Sequence, residues 1–515
     1  MSLPHRTLLV DRSASMAASV LAVASAWLVA CSDRPFAATD PEVFTSADYA
    51  RPWTPSEDAR DGLGSGVGAM SRSEPMPLGV DVGGGRQSLL RLVDVALANR
   101  PQTRGAWEEA RQAAAEYGIV QGAWLPTVGL EADFYYAREI YPATGEAFFV
   151  EQVAFIPQIA LNYLLLDFGR READDDRARA ALWAANLSFN RALQEAVHAV
   201  QVGYFNLDTA IALNQAAQRN LELAETVVAM VEQQLEVGLA TMPSLLLARQ
   251  DLAQARFDLE ATVAGISIAK SNLLVACGLS PTLSLEIEPI TEEELPAALA
   301  FRVEDVIDEA LVGRPDLAAS VARLRAAEAA IRRAEAEFMP TVTAQGSVGV
   351  LATTFQTDTS VGQEFPWDTG APATWSIGLT GEWLLFEGFE RTNAVRAARA
   401  ARNAAEAELR ALRLEAIGQT WNAYFSVQAA VKQYQFGIAL VESSEEAFAA
   451  VEKAYSTGLA TITELVQAER DLQEARSTLV STRASLLVAS ADLALAAGSD
   501  LGRYDADAPP RAMAP

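Results

Sequence analysis

The sequence predicts a mainly α-helical, internally duplicated chain that also contributes membrane-spanning β-strands to a barrel completed by further copies of itself. Three observations carry this. First, a bend reading Val237-Gly238-Leu239-Ala240-Thr241 returns about 220 residues later as Thr457-Gly458-Leu459-Ala460-Thr461. Second, each bend leads into the same heptad. Leu245, Leu252, Leu259, Ile266 and Leu273 have Ala248, Ala255, Thr262, Ala269 and Ala276 three residues further on; Leu465, Leu472, Leu479, Leu486 and Leu493 repeat the pattern with Ala468, Ala475, Thr482, Ala489 and Ala496. A sustained heptad of apolar residues is a helix-packing seam, and its recurrence at one offset is an internal repeat. Third, four segments switch to a period of two, apolar on one side and small or polar on the other.

Taken in order, the chain opens with a weakly basic start (His5, Arg6, Arg12) and a largely apolar run from Met16 to Ala30. This reads as an export signal over residues 1–30. Its end, Leu28-Val29-Ala30-Cys31, resembles the lipobox of bacterial lipoproteins, which implies cleavage before Cys31 and lipidation of its thiol. Ser32 after it is similar to lipoproteins forwarded to the outer membrane. With Cys31 acylated only Cys277 remains, so no intrachain disulfide forms. Residues 31–87, rich in Pro, Gly and Ser, read as a lipid-anchored linker. Beyond the signal, no apolar run reaches the length of a membrane-spanning helix.

The first repeat spans residues 88–280 and the second 303–500, joined by 281–302 and followed by a tail, 501–515. Each starts with a short helix that stops before Arg100-Pro101 or Arg314-Pro315-Asp316, where Pro can open the next helix. Strands are expected at about 127–138 and 154–166, then at about 341–352 and 373–386. Val128, Leu130, Phe134 and Tyr136 mark one apolar face; Trp375, Ile377, Leu379 and Trp383 mark another. Two Pro-free helical patterns follow, from about Arg171 to Val237 and from about Arg391 to Thr457, each on the order of 100 Å at 1.5 Å per residue. At the bends, Gly supplies a left-handed position, and Thr caps the next helix. Thr461-x-x-Glu464 is a capping box, and Pro243 suits an opening turn.

Four strands cannot close a barrel, and an open sheet cannot sit in lipid. Known membrane barrels start at about eight strands. A lumen wide enough to continue into a helical tube favours three copies, which at four strands each makes about twelve.

Here the residues resemble the TolC-type outer-membrane efflux proteins, most closely the lipidated branch serving resistance–nodulation–division pumps. The carriers are the strand-exit turns Leu166-Asp167-Phe168-Gly169 and Leu385-Phe386-Glu387-Gly388, the Arg314-Pro315-Asp316 break and both Gly-Leu-Ala-Thr bends. The resemblance covers about residues 88–500. It implies a homotrimer with a twelve-stranded β-barrel in the outer membrane, continued across the periplasm by an α-barrel. The chain would then be a passive exit duct of a tripartite system, anchored in outer-membrane lipid and driven by an inner-membrane pump. Val237, Gly238, Leu239, Ala240 and Thr241, with Thr457, Gly458, Leu459, Ala460 and Thr461, match the tip that meets a periplasmic adaptor protein. Glu464 and Gln467 match the aperture, Gln467 standing where relatives often have Asp. Ala460 replaces a basic residue of the closing network. Tyr455 is placed to join the closing contacts or to pack in the seam, and Glu464 equally serves its capping box.

Other function classes fare worse. With 40 basic against 67 acidic residues, net −27, nucleic acid is not a partner. His198 is the one histidine after the signal, which removes a His-based metal site or a Cys–His dyad. Gly83-Gly84-Gly85 precedes no strand–helix unit, so no nucleotide cofactor is expected, and Asp174-Asp175-Asp176 suits a helix start. No enzyme is read here. A type I protein-secretion channel shares the fold, while a coiled-coil envelope scaffold leaves the strands unexplained.

Overall fold

The computed structural model describes residues 85–143, 146–290, 302–359 and 365–498, all within the compact unit Pro77–Pro515. The signal segment, Cys31, nearly all of the linker and the C-terminal tail lie outside the described residues.

Eight helices among the described residues form two matching sets. The first is α1 (Leu89–Asn99), α2 (Pro101–Gly122), α3 (Arg170–Glu236) and α4 (Met242–Ala276). The second is α5 (Val303–Gly313), α6 (Pro315–Ala336), α7 (Glu390–Ser456) and α8 (Ile462–Ala496). Lengths match pairwise at 11, 22, 67 and 35 residues. Pro101 and Pro315 open α2 and α6, where their missing N–H has no intrahelical partner to lose.

The packing is less symmetric than the sequence. In each repeat the long helix packs on the shorter one after the bend, α3 on α4 and α7 on α8. In addition α6 lies against both α3 and α7, whereas α2 lies against α3; α8 also packs on α3. Arg332 and Arg333 of α6 reach Asp176 and Asp174 of α3 at 2.7 and 3.1 Å, and Glu335 of α6 holds Arg399 of α7 at 2.9 Å. Asp174 and Asp176 are thus engaged in ion pairs between helices, while Asp175 pairs with Arg179 of its own helix. Both α4 and α8 are apolar enough over 18 residues to match a membrane span, which corrects the expectation that no such run exists; most of that stretch is not buried within the chain. The Leu/Ala heptads raise the hydropathy, and the helices lie in hairpins with α3 and α7.

The strands form one sheet. β1 (Thr127–Ala143) and β2 (Glu146–Leu166) are longer than expected, running to within a few residues of each other. The third expected strand is split at Leu351 into β3 (Thr341–Val350) and β4 (Ala352–Thr359). The fourth is split into β5 (Asp368–Gly370) and β6 (Ala373–Glu382), ending at Glu382 rather than near 386. Register shows that the pieces belong together. Gln158 faces Gly349 and Phe155 faces Ala352, three positions on in both strands, so β3 and β4 continue one line along β2. Likewise Val350 faces Ala373 and Thr353 faces Gly370. The sheet is four lines wide, antiparallel throughout, with β1 at one edge and β5–β6 at the other.

That register sorts the side chains. Leu130, Ile159, Val348 and Trp375 form one row across the sheet; Val128, Leu161, Gly346 and Ile377 form the next. Leu130, Trp375 and Ile377 are 81%, 77% and 83% exposed, so this apolar face packs on nothing among the described residues. The opposite face is polar, with Gln158 donating to Glu131 (3.2 Å), Ser347 sharing a hydrogen bond with Ser376 (2.9 Å) and Thr380 donating to Gln345 (3.3 Å).

Sheet and long helices join through repeated clamps. Phe168 and Gly169 before α3, and Gly388 and Phe389 before α7, take positive φ. Arg171 donates from its backbone N and its Nε to Asp167, both at 2.9 Å, and its guanidinium lies 4.5 Å from the Trp124 ring centre. Arg391 repeats the side-chain pair with Glu387 and the ring contact with Phe338.

At the far ends of α4 and α8, Gly278 and Gly498 have φ of +74° and +70° and press on the α1–α2 and α5–α6 junctions. A Cβ on Gly278 would lie 2.8 Å from the Asn99 carbonyl oxygen; one on Gly498 would lie 2.9 Å from the Arg314 backbone N. Cys277 is buried beside Leu92, and burial pushes its thiol up to about 12. Gly278→Ala or Gly498→Ala should each destabilise the fold by about 1–3 kcal/mol, from left-handed strain plus the backbone clash. The check is a lowered unfolding midpoint, with Gly265→Ala, a mid-helix site with open space around it, as the control whose midpoint should hold or rise.

Candidate functional site

The two bends share one turn geometry and differ in the cap that follows. After α3, Gly238 adopts φ +78°, Leu239 N–H returns to the Gln234 carbonyl (2.8 Å) and Gly238 N–H to that of Leu235 (3.1 Å). After α7, Gly458 has φ +76°, Leu459 N–H bonds Ala454 (2.8 Å) and Gly458 N–H bonds Tyr455 (3.0 Å). These are Schellman caps, which satisfy helix-end carbonyls while turning the chain back. Thr241 then caps α4 by accepting from Ser244 N–H at 3.4 Å, with Pro243 in the first turn. Thr461 caps α8 in a reciprocal box: its Oγ1 accepts from Glu464 N–H (3.3 Å), and Glu464 Oε2 accepts from Thr461 N–H (2.7 Å) and Oγ1 (2.9 Å). The hydrogen bonds from the Thr461 backbone and hydroxyl hold the Glu464 carboxyl below its ordinary value.

The bends lie side by side. One apolar cluster gathers Val231 of α3, Leu245 of α4, Tyr455 of α7 and Leu465 of α8, with Ala240 and Ala460 packed against it. Outside this cluster Val237, Leu239 and Leu459 are 66%, 79% and 86% exposed. The tip therefore offers three bare aliphatic side chains on two rigid turns. Gly238, Thr241, Thr457, Gly458 and Thr461 are exposed with them.

The three gate candidates separate. Glu464 and Gln467 are exposed on the first turns of α8, the former engaged with Thr461 and the latter donating to Asp471 at 2.8 Å. Tyr455 is buried in the cluster, and burial raises its phenol above the usual value.

A second polar group was not picked out from sequence. Asp251 of α4 is buried and accepts from Arg470 Nε of α8 at 2.9 Å, tying the first hairpin to the second. Beside it Glu469 is wholly buried. By heptad, Glu469 stands four residues after Leu465, where charged residues usually line the flank of a seam, so nothing marks it as interior. The repeat makes the point: Arg249 holds the same place in α4 and lies at the surface, 2.8 Å from Glu232. The difference is that α8 packs on α3 as well as α7.

Among the described residues no group of three or more His, Cys, Asp or Glu is placed to hold a metal. His198 shares a 2.6 Å hydrogen bond with Asp492.

Replacing the cap tests the tip's construction. Thr461→Ala should cost about 1 kcal/mol locally and speed amide exchange at Glu464 and Leu465, leaving the Thr241 bend unchanged. Hydrogen exchange resolved by residue reads both.

Comparison with known proteins places this geometry. The sequence profile described as "Outer membrane efflux protein" matches residues 92–279 and again 306–499, one match per repeat. Protein CyaE of Bordetella pertussis is 26% identical over 350 residues, covering 67% of this chain and 69% of its own. Outer membrane protein OprJ of Pseudomonas aeruginosa is 28% identical over 264 residues, 51% of this chain and 54% of its own. The crystal structure of the outer membrane protein VceC from Vibrio cholerae aligns with a TM-score of 0.67 over 80% of this chain and 96% of that one, at 22% identity.

Proposed function

This chain belongs to the outer membrane efflux protein family, and from that premise we propose how its duct is assembled, docked and gated. It is the outer-membrane exit duct of a tripartite efflux system, located in the outer membrane and extending into the periplasm. Its family consists of channels rather than enzymes.

The observation that carries the assembly is the sheet, with one apolar face, one polar face and two edges unpaired within the described chain. Such a sheet is stable in lipid only when copies close it, and closed it surrounds a polar lumen. The repeat indicates how. α6 lies between α3 and α7, so the equivalent α2 is one long-helix neighbour short, and α7 of another copy supplies it. β1 of one copy then meets β6 of the next. Three copies complete both rings, with the apolar outer stretch of α4 covered at the same contacts.

The tip divides the remaining work. Val237, Leu239 and Leu459 form the docking surface for a periplasmic adaptor, with Gly238, Ala240, Thr241, Thr457, Gly458, Ala460 and Thr461 shaping the turns. Glu464 and Gln467, three copies of each, line the aperture, where the ring of Glu464 carboxylates favours cations. Opening shifts the α7–α8 hairpin against α3–α4 and strains the Asp251–Arg470 tie, with Tyr455 acting from the packed side. Energy comes from an inner-membrane pump of the resistance–nodulation–division type. Cys31 carries the lipid anchor.

The test is closure of the aperture. In a Gln467→Cys variant, joining the copies with a short bifunctional maleimide should abolish export while leaving trimer and membrane insertion intact. Full cross-linking with undiminished export would overturn the gate assignment.

A further inference from the structure

Glu469 has no role in the duct as described so far, and its position is costly. It is wholly buried, and neither carboxyl oxygen meets a hydrogen-bond partner among the described residues. Leu465 and Leu472 lie one turn either side of it and pack with Val231 of α3, Leu245 of α4 and Tyr455 of α7. A charged carboxylate is very unfavourable in such surroundings, so the group sits there neutral.

The charges around it are few. Asp251 of α4 is the like charge beside it, with Oδ1 taken by Arg470 and Oδ2 unpartnered. Of the charged groups on the packed helices, Asp251 and Arg470 are the ones that act on it. On α3, Glu225 and Glu232 are turned to the surface with Arg256 and Arg249; on α7, Glu445 is held by Arg476 of α8. Tyr455 is the other titratable group of the cluster.

We propose that Glu469 is a proton-binding site that keeps the periplasmic end of this duct shut. With its proton bound, the neutral carboxyl lets α8 stay packed on α3 and α7. When the proton leaves to solvent, the carboxylate must be hydrated, and α8 moves out of that packing. An open groove of about 520 Å³, lined by the apolar Leu223, Phe448 and Leu472 and by the charged Arg219, Glu222, Glu445 and Arg476, offers the route to water one turn along α8. The equivalent position in the first repeat is the surface residue Arg249, so only the α7–α8 hairpin responds. The inference rests on the tip being the gate.

Its direction with pH follows from burial, which pushes the carboxyl up to about 8; Asp251 adds to the rise and Arg470 opposes it. Because the value in the packed state is above the ordinary 4.5, the stabilisation is complete below 4.5 and is lost as pH rises through about 8. Glu464 is held below 4.5 and Tyr455 above 10.0, so neither produces a step near 8.

The experiment is conductance of the full-length protein in planar bilayers while pH is raised through about 8. The wild type should pass from a low- to a high-conductance state, its open-to-closed ratio changing by up to about tenfold per pH unit. Glu469→Gln keeps the shape without the ionisation and should stay low throughout. Glu469→Leu should do the same, and serves if the amide variant fails to assemble. A step near 8 retained in either variant, or absent from the wild type, overturns the proposal. Cross-linked Gln467→Cys protein separates the two readings: undiminished conductance would place the gate elsewhere, whereas blocked conductance with the step retained in Glu469→Gln would refute Glu469 alone.

Discussion

A backbone amide left without a partner in hydrocarbon costs several kcal/mol, and most of this architecture answers that constraint. The chain brings four lines of strand with a bare apolar face and two open edges. Copies must close the edges, and closure gives a polar lumen. The clamps Asp167–Arg171 and Glu387–Arg391 then carry each strand exit directly into a helix of 67 residues, about 100 Å long. No linker intervenes, so the helical ring inherits the axis of the strand ring.

Duplication supplies the parts, and unequal packing gives them different duties. The two repeats share element lengths and bend geometry, yet α6 has two long-helix neighbours and α2 has one. In the assembly proposed above, another copy fills that shortfall. At the bends the same asymmetry turns equivalent positions into opposites: Arg249 is a surface ion-pair partner, while Glu469 is a buried acid.

Periodicity made much of this legible. Heptads located α4 and α8, alternation located the sheet, and Gly-Leu-Ala-Thr located both turns, because each pattern reflects local backbone geometry that tertiary packing did not override. The strand ends were harder. The Arg138–Glu151 pair interrupts the outward apolar face, and beyond it Val150, Tyr141 and Phe148 make the opposite face apolar too, so the alternation fades though the ladder continues to Ala143. Both breaks leave register intact; Pro372 marks the one before Ala373, whereas Leu351 gave no signal. At the tip the residues of the turns were legible, but not which of them face inward. Tyr455 and Glu469 each depend on α8 meeting α3, a contact far apart in sequence.

The central claim, a closed conduit built from copies of one duplicated chain, is tested most directly by electron cryomicroscopy of the mature protein purified in detergent. Three-fold hollow cylinders are predicted, with β1 of each copy paired to β6 of the next and the Val237 and Thr457 bends together at one end. Compact monomers, or solid rods with no lumen, would contradict it.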